Sequence, residues 1–346
     1  MAVNVLNPLS DRRWDDLIAR HPLSSVFHQR GWLEALCRTY GYQPLALTTS
    51  TSTSALCSGV VFCRVASWIT GTRLVSLPFS DHCEPLLNDG VDLNCFTPWL
   101  RAECERQHWI YFELRPLLQV QNAEEGLCES HTFCSHELDL EPSLERLFDG
   151  LHKDCVQRKI RRAGKESLTY EVGCTQQLVD DFYPLLLITR RRHQLLPQPR
   201  AWFRNLIECM GDNVQIRLAR KNGVPIAAML TLRHRSSVVY KYGCSDDRFH
   251  NLGGMPFLFW KLIEESKAAG ALRIDLGRSD MEHRGLVVFK DRLGASRKSL
   301  AYYRYPKSAS EKKADVWGSE ALRQLFSVLP AAISSTAGRI VYKHVG

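Results

Sequence analysis

The chain has no apolar run approaching the ~20 residues of a membrane-spanning helix, so no transmembrane helix is expected. Its opening stretch, MAVNVLNPLSDRRWDDLIAR, lacks a basic segment followed by an apolar one, and no secretory signal is expected. Twelve cysteines are present, yet none stand as C-x-x-C. Pairs such as Cys57 and Cys63, or Cys128 and Cys134, are too widely spaced for a zinc knuckle, so no metal site is expected. Scattered cysteines without a signal peptide fit a reducing cytoplasm, most of them serving as small core residues. A strong charge bias is also lacking: 45 Lys and Arg against 37 Asp and Glu leave a formal +8. That suits a partner carrying phosphate or carboxylate but does not specify nucleic acid. The 346 residues, with 45% hydrophobic and 24% charged residues, are enough for two globular domains with real cores.

What the sequence does contain is a repeat. GWLEALCRTYGYQPLAL, GVVFCRVAS, RLVSLPFSDHCEPLLNDG and FTPWLRAECERQHWIYFELRP follow one another in the N-terminal half. AWFRNLIECMGDNVQIRLA, PIAAMLTLRHRS, VVYKYGCSDDRFHNLGG and PFLFWKLIEESKAAGALRIDLGRS follow in the same order in the C-terminal half. Trp32 matches Trp202, Asp81 matches Asp246 and Arg115 matches Arg278, at a separation that drifts by only a few residues. Each copy reads helix, three strands, helix, strand. VQIRLARKNGVPIAAMLTLRH is a hairpin turning at Asn-Gly. GMPFLFWKLIEESKAAG opens on glycines and a proline and closes on Gly270, as a helix should. TTSTSTSAL reads as a hairpin loop.

Between the copies, LHKDCVQRKIRRAGK places Arg158, Arg161, Arg162 and Lys165 on one helical face, with Val156, Ile160 and Ala163 opposite. The domains expected are 1–150, 151–310 opened by this basic helix, and an amphipathic tail, 311–346, of one or two helices broken at Pro330. The basic face suits diphosphate, a nucleotide-sugar or an RNA backbone, with Arg161 and Arg162 as its leading contacts; otherwise it is a solvated helix face. The HRGLVVFKDRLGA stretch reads as an apolar strand ending in one cation, Lys290. A lysine held there either reaches solvent or aims its charge at a developing oxyanion. In LPFSDHCEPLL, Asp81 is expected to line an acceptor cleft. Asp81 and His82 are not expected to share a metal, because neighbours on a strand face opposite ways, and a nucleophile made of Cys83 and His82 would need an orienting third group that the stretch does not show. Arg278 and Arg284 flank a loop after a strand and suit an anionic acceptor, or are surface arginines. RRRH, Arg190 to His193, reads as an exposed helix end.

The repeat order, together with HKDCVQRKIRRAGK, YKYGCSDDRFHNLGGMPFLFWKLIEESKAAGALRIDLGRS and GLVVFKDRLGA followed by LAYYRY, resembles the GNAT acyltransferase fold over roughly residues 25 to 305. Two copies joined by a basic helix resemble its FemAB-like branch. That branch includes peptidoglycan interpeptide-bridge aminoacyltransferases and BioF2-like or CelD-like acetyltransferase domains. The resemblance implies an α/β fold of tandem duplicated GNAT units, with mixed central sheets flanked by helices. It implies acyl or aminoacyl transfer to an amine or hydroxyl of an anionic cell-envelope precursor or polysaccharide, and no tightly bound cofactor. Lys290 would stabilise the oxyanion, Tyr242 or Tyr302 would donate a proton to the leaving group, and Gly253 and Gly254 would hold the donor. The loop DDRFHNLGGM departs from the Q/R-x-x-G-x-G/A pattern that cradles a CoA pyrophosphate. The donor therefore stays open between acyl-CoA and aminoacyl-tRNA, with a small or lipid-linked anionic acceptor, and tRNA or the inner membrane face as possible partners. The alternative function is a non-catalytic tandem module that binds RNA or an anionic membrane surface.

Overall fold

A computed structural model of the protein describes residues 2–88, 93–120, 126–306 and 331–345. The chain divides into two compact units: Met1–Thr132 joined by residues 300–306 and 336–345, and Phe133–Ser299 joined by residues 331–335. The first unit runs β1 (Asn4–Leu6), α1 (Arg12–Arg20), α2 (Arg30–Tyr40), β2 (Gln43–Thr48), β3 (Val60–Val65), β4 (Arg73–Ser76), α3 (Thr97–Arg106) and β5 (Phe112–Leu114). Next come β6 (Cys128–Asp139), α4 (Leu144–Gly150) and α5 (Arg158–Lys165), the last preceded by a wide π turn over Lys153–Gln157. The second unit repeats the first order: β7 (Thr169–Gly173), α6 (Gln176–Arg192), α7 (Arg200–Met210), β8 (Val214–Lys221), β9 (Val224–His234), β10 (Ser237–Ser245), α8 (Gly254–Ala268) and β11 (Arg273–Asp280). Then follow α9 (Arg284–Asp291), β12 (Ser296–Tyr305) and α10 (Ala331–Val345). The duplication expected from the sequence is present element by element. Pro330 and the segment before it, where the tail was expected to break, lie outside the described residues.

Each unit builds a mixed sheet. In the first the strand order is β1-β2-β3-β4-β5-β12; in the second it is β6-β11-β10-β9-β8-β7. One pair in each is parallel, β4 with β5 and β10 with β11, because α3 and α8 supply the crossovers that parallel strands require. The other neighbours are antiparallel. The β8–β9 hairpin turns at Asn222 and Gly223, whose φ values of 51° and 80° are the positive pair that an Asn-Gly turn supplies at little cost. The matched tryptophans Trp32 and Trp202 are both fully buried, each on the helix that precedes its unit's hairpin strands.

The second unit's core packs α5 and α8 on one face of the sheet, with Val156, Ala163, Leu258, Leu262 and Ile263 buried among β-strand residues such as Ile226, Met229 and Ile274. The cationic positions of α5 point away from this core, as its pattern predicts. One expected element is corrected. Arg284–Asp291 is helix α9, not the strand read from Leu-Val-Val-Phe. The two valines favour a strand only weakly, and packing on the core overrides such a preference. On this helix Val287 and Lys290 share the buried side.

Candidate active site

The parallel pair β10–β11 is short. It holds register only from Ser237 to Val239 and from Arg273 to Asp275, after which β11 continues alongside β6. Beside β10, beyond the end of that pairing, a cavity of about 670 Å³ opens in the second unit. It lies at the carboxyl end of β10 and the amino end of its antiparallel neighbour β9, an end of the sheet that leaves room for a ligand. Tyr240, Gly243, Cys244 and Ser245 of β10 line it, with Ile226 and Ala227 of β9. Helix α8 contributes Gly254, Met255 and Pro256, and α9 contributes Leu286 and Phe289. Both the cavity and its lining belong to this unit alone.

One part of the wall is apolar. The other carries cations: Arg158, Lys159, Arg192 and Arg292 stand against the carboxylates of Asp154 and Asp246. Asp246 is already chelated by Arg248, whose hydrogen bonds hold its carboxyl below the usual range. The first turn of α8 presents Gly254 and Met255 here, and the leading N–H groups of a helix have no acceptor within the helix. Anions are favoured at such an end. Gly253 makes the approach possible. Its φ is 81°, and a Cβ at this position would lie 2.4 Å from the Lys159 carbonyl oxygen. Only glycine lets the loop before α8 seat against the backbone of α5.

A polar clamp fixes the end of β10. Thr189 Oγ1 accepts from Ser245 N at 2.9 Å and donates to the Ser245 carbonyl at 3.2 Å. Arg192 donates to the same carbonyl at 3.3 Å and lies 3.4 Å from His250 Nε2. Ser245 Oγ stands 2.9 Å from that same nitrogen. With an arginine N–H facing it, Nε2 is the acceptor nitrogen, so the serine hydroxyl donates to it. Burial, then the Arg192 charge, holds His250 below the usual imidazole range. Burial followed by Arg192 and Arg190 does the same at His193.

Tyr240 and Tyr242 are separated by a β-bulge, the register stepping over Lys241. A bulge resets the alternation of side chains. Tyr240 therefore turns to the cavity and packs on Phe259 of α8, with ring centroids 4.7 Å apart. Tyr242 turns to the other layer, where Phe203 of α7 stacks edge-on at 5.2 Å and Trp202 Nε1 donates to its hydroxyl at 2.9 Å. Burial pushes the Tyr240 phenol above its ordinary value, so it keeps its proton at neutral pH.

The structure gathers some of the expected residues and disperses others. Arg158, Gly254 and, through its contact with Lys159, Gly253 belong to the cavity. Arg161 instead lies over the Phe148 ring and donates to Gln157, and Arg162 pairs with Glu166 at 3.0 Å. Arg278 lies over the Phe133 ring at 4.3 Å, and Arg284 opens α9 with its side chain exposed. Lys290 is neither solvated nor at the cavity wall. It is 3% exposed, and its Nζ donates to the Gly277 and Arg278 carbonyls at 2.9 and 3.0 Å. These carbonyls lie at the bulge of β11, so Lys290 ties α9 to that strand. Asp81 belongs to the first unit, where its carbonyl accepts from the Tyr302 hydroxyl at 2.6 Å.

The neighbouring Cys83 is buried, its thiol pushed up to about 12 by burial. His28 Nε2 lies 3.5 Å from its sulfur but also 2.9 Å from the Glu84 carbonyl, which fixes that nitrogen as a donor. The pair is therefore no activated nucleophile. No cluster of metal-ligating side chains occurs among the described residues. Arg192 and His193, expected as an exposed helix end, and His250, which no motif marked, line the cavity because α6 ends where β10 ends.

Residues 152–285 match the family model of the acetyltransferase (GNAT) domain. Among solved structures the chain is similar to FemX, at 13% identity and a TM-score of 0.69, covering 88% of this chain and 97% of that one. It is similar to a tandem GNAT protein from the clavulanic acid biosynthesis pathway, at 13% identity and a TM-score of 0.56, covering 90% and 100%. It is also similar to L-PGS from Bacillus licheniformis, at 10% identity and a TM-score of 0.56, covering 92% and 98%. No curated protein matches the sequence. Residues 152–285 carry a GNAT acetyltransferase domain, the mark of an acyltransferase, and the chain has a fold similar to those of FemX and of a tandem GNAT protein.

Proposed function

We propose that this GNAT-fold acyltransferase takes its acyl group from a coenzyme A thioester bound in the second-unit cavity. The acyl group passes to an amine or hydroxyl, with an anionic cell-envelope precursor or polysaccharide as the acceptor class. The observation that carries the donor assignment is the polarity of the cavity. Cations and the α8 N-terminus suit a diphosphate, and the wall of Ile226, Ala227, Leu286 and Phe289 suits a pantetheine arm and its acyl chain.

In the transfer, the acceptor's nitrogen or oxygen bonds to the thioester carbonyl carbon, giving a tetrahedral oxyanion. Collapse breaks the C–S bond. The Tyr240 hydroxyl, protonated and at the cavity wall, gives its proton to the departing thiolate; the proton lost by the acceptor restores the phenol through water. Positioning of two reactants in one cavity supplies the remainder of the rate.

Titration of the full chain with acetyl-CoA, a longer acyl-CoA and an aminoacyl-tRNA tests the donor. Saturable heat with a CoA thioester supports the proposal. Heat with the charged tRNA alone reassigns the donor, and silence with all three removes the cavity as a donor site.

A further inference from the structure

We infer that the first unit carries a docking surface for an anionic lipid membrane, formed by the β3–β4 loop and the outer face of α10. The inference rests on first-unit residues alone and stands whether or not the acceptor is lipid-linked.

Trp68, in the β3–β4 loop, is 88% exposed, and Ile69 beside it is 40% exposed. A lone exposed apolar side chain is ordinary; an exposed indole with a second exposed apolar side chain beside it starts the kind of patch that marks an interaction site. The loop is not slack. Ser67 Oγ accepts from the N–H groups of Ile69 and Thr70 at 3.2 and 2.9 Å, and stands 2.9 Å from His344 Nδ1 of α10. Thr70 Oγ1 donates to the His344 carbonyl at 2.7 Å, and Arg73 donates to the same oxygen. The Trp68 ring meets the His344 ring edge-on at 5.9 Å. The fold therefore holds the indole outward.

Helix α10 is two-sided. Its inner side is fixed by Tyr342, whose carbonyl accepts from the Tyr42 hydroxyl and whose ring meets Phe79 at 5.5 Å. Its outer side exposes Arg339, Ile340 and Lys343. Ile340 is one turn before His344, so it continues the row that leads to Trp68. Neither the loop 66–72 nor the first-unit part of α10, 336–345, contains an acidic residue. An exposed Trp and two isoleucines flanked by cations match the membrane–water interface: the indole sits at headgroup depth and the cations pair with anionic lipid. The charge complementarity selects an anionic bilayer over an uncharged apolar partner.

Sedimentation of the full chain with vesicles tests this. Vesicles of phosphatidylcholine mixed with phosphatidylglycerol are expected to bind the protein, and phosphatidylcholine alone to bind it roughly tenfold more weakly. Trp68→Ser and, separately, Ile69→Ser are expected to lower binding to the mixed vesicles by roughly tenfold. Arg339→Ser with Lys343→Ser is expected to abolish the preference for phosphatidylglycerol. Circular dichroism confirms that the variants fold, and acetyl-CoA titration in the absence of lipid is expected to match the wild type. Equal partition of Trp68→Ser and the wild type overturns the inference. So does failure of the wild type to bind vesicles, whether the protein is then monomeric or self-associated through this face.

Discussion

Tyr240 and Tyr242 lie two residues apart on β10 and face opposite layers of the second unit, Tyr240 against Phe259 and Tyr242 against Phe203. Regular alternation puts residues i and i+2 on one face; the bulge at Lys241 separates them. Their roles therefore separate too. Tyr240→Phe should lower kcat by ~100-fold with little change in KM for the donor, because it removes a proton donor and leaves the packing. Tyr242→Phe should leave kcat near the wild-type value and cost ~1 kcal/mol of stability, the loss of its bond from Trp202. Steady-state kinetics and denaturant unfolding of both variants read the two effects.

Gly243 exists for Tyr240. A Cβ at Gly243 would lie 1.7 Å from the Tyr240 hydroxyl oxygen and 2.7 Å from its ring carbon. Gly243→Ala must push the ring aside, so it should lose transfer activity and ~1–3 kcal/mol of stability. In a Gly243→Ala/Tyr240→Phe pair the worst clash is gone. The double variant should be more stable than the sum of the single changes predicts, by ~0.5 kcal/mol or more in a thermodynamic cycle.

The cations at the cavity are not the two that the helical pattern ranks first. Arg158→Ala with Lys159→Ala should weaken binding of a CoA thioester by roughly tenfold or more, and the remaining affinity should fall less steeply with salt. Arg161→Ala with Arg162→Ala should leave it within about twofold, since Arg161 packs on Phe148 and Arg162 on Glu166. Calorimetry at two ionic strengths distinguishes the pairs.

In the first unit, Glu113 is buried between Arg115 at 2.7 Å and Arg304 at 3.1 Å. Burial alone would raise its carboxyl, but the two guanidinium groups outweigh burial and hold it at about 2. An unfolded glutamate titrates near 4.3. Between those values the unfolded chain binds the extra proton, so this contribution, about 3 kcal/mol, is complete above about pH 4.3 and is lost as pH falls toward 2. Glu113→Gln should cost ~3 kcal/mol at pH 7, because it leaves buried arginines without their charge partner, and should flatten the acid limb of the stability profile. Urea unfolding between pH 7 and 3 measures both.

Much of the fold was legible because local chemistry fixes it. The Asn222–Gly223 turn needs two positive φ values, and the matched tryptophans mark equivalent helices of a duplication. The site was less so. Leu-Val-Val-Phe carries no period that separates a short buried strand from a helix, and only packing decided for α9. Lys290 was read as a cation aimed at a reacting centre, whereas its partners are carbonyls at a strand bulge that no local pattern announces. The same holds for Tyr240, whose facing depends on one extra residue in β10. Arg192 and His193 read as a solvated helix end because their partners, the Ser245 carbonyl and the cavity wall, lie more than fifty positions downstream. The adjacent glycines of the loop before α8 were legible as the turn into a helix, although the close approach of Gly253 to Lys159 is a tertiary fact.

The most direct test of the central claim is calorimetric titration of acetyl-CoA into the wild type and into Leu286→Trp. Leu286 lines the cavity yet is 42% exposed, so an indole there fills the cavity without overpacking the core. Saturable binding to the wild type, at least a tenfold loss in the variant, and an unchanged melting temperature are expected. Equal binding by the two proteins would contradict the placement of the acyl donor in this cavity.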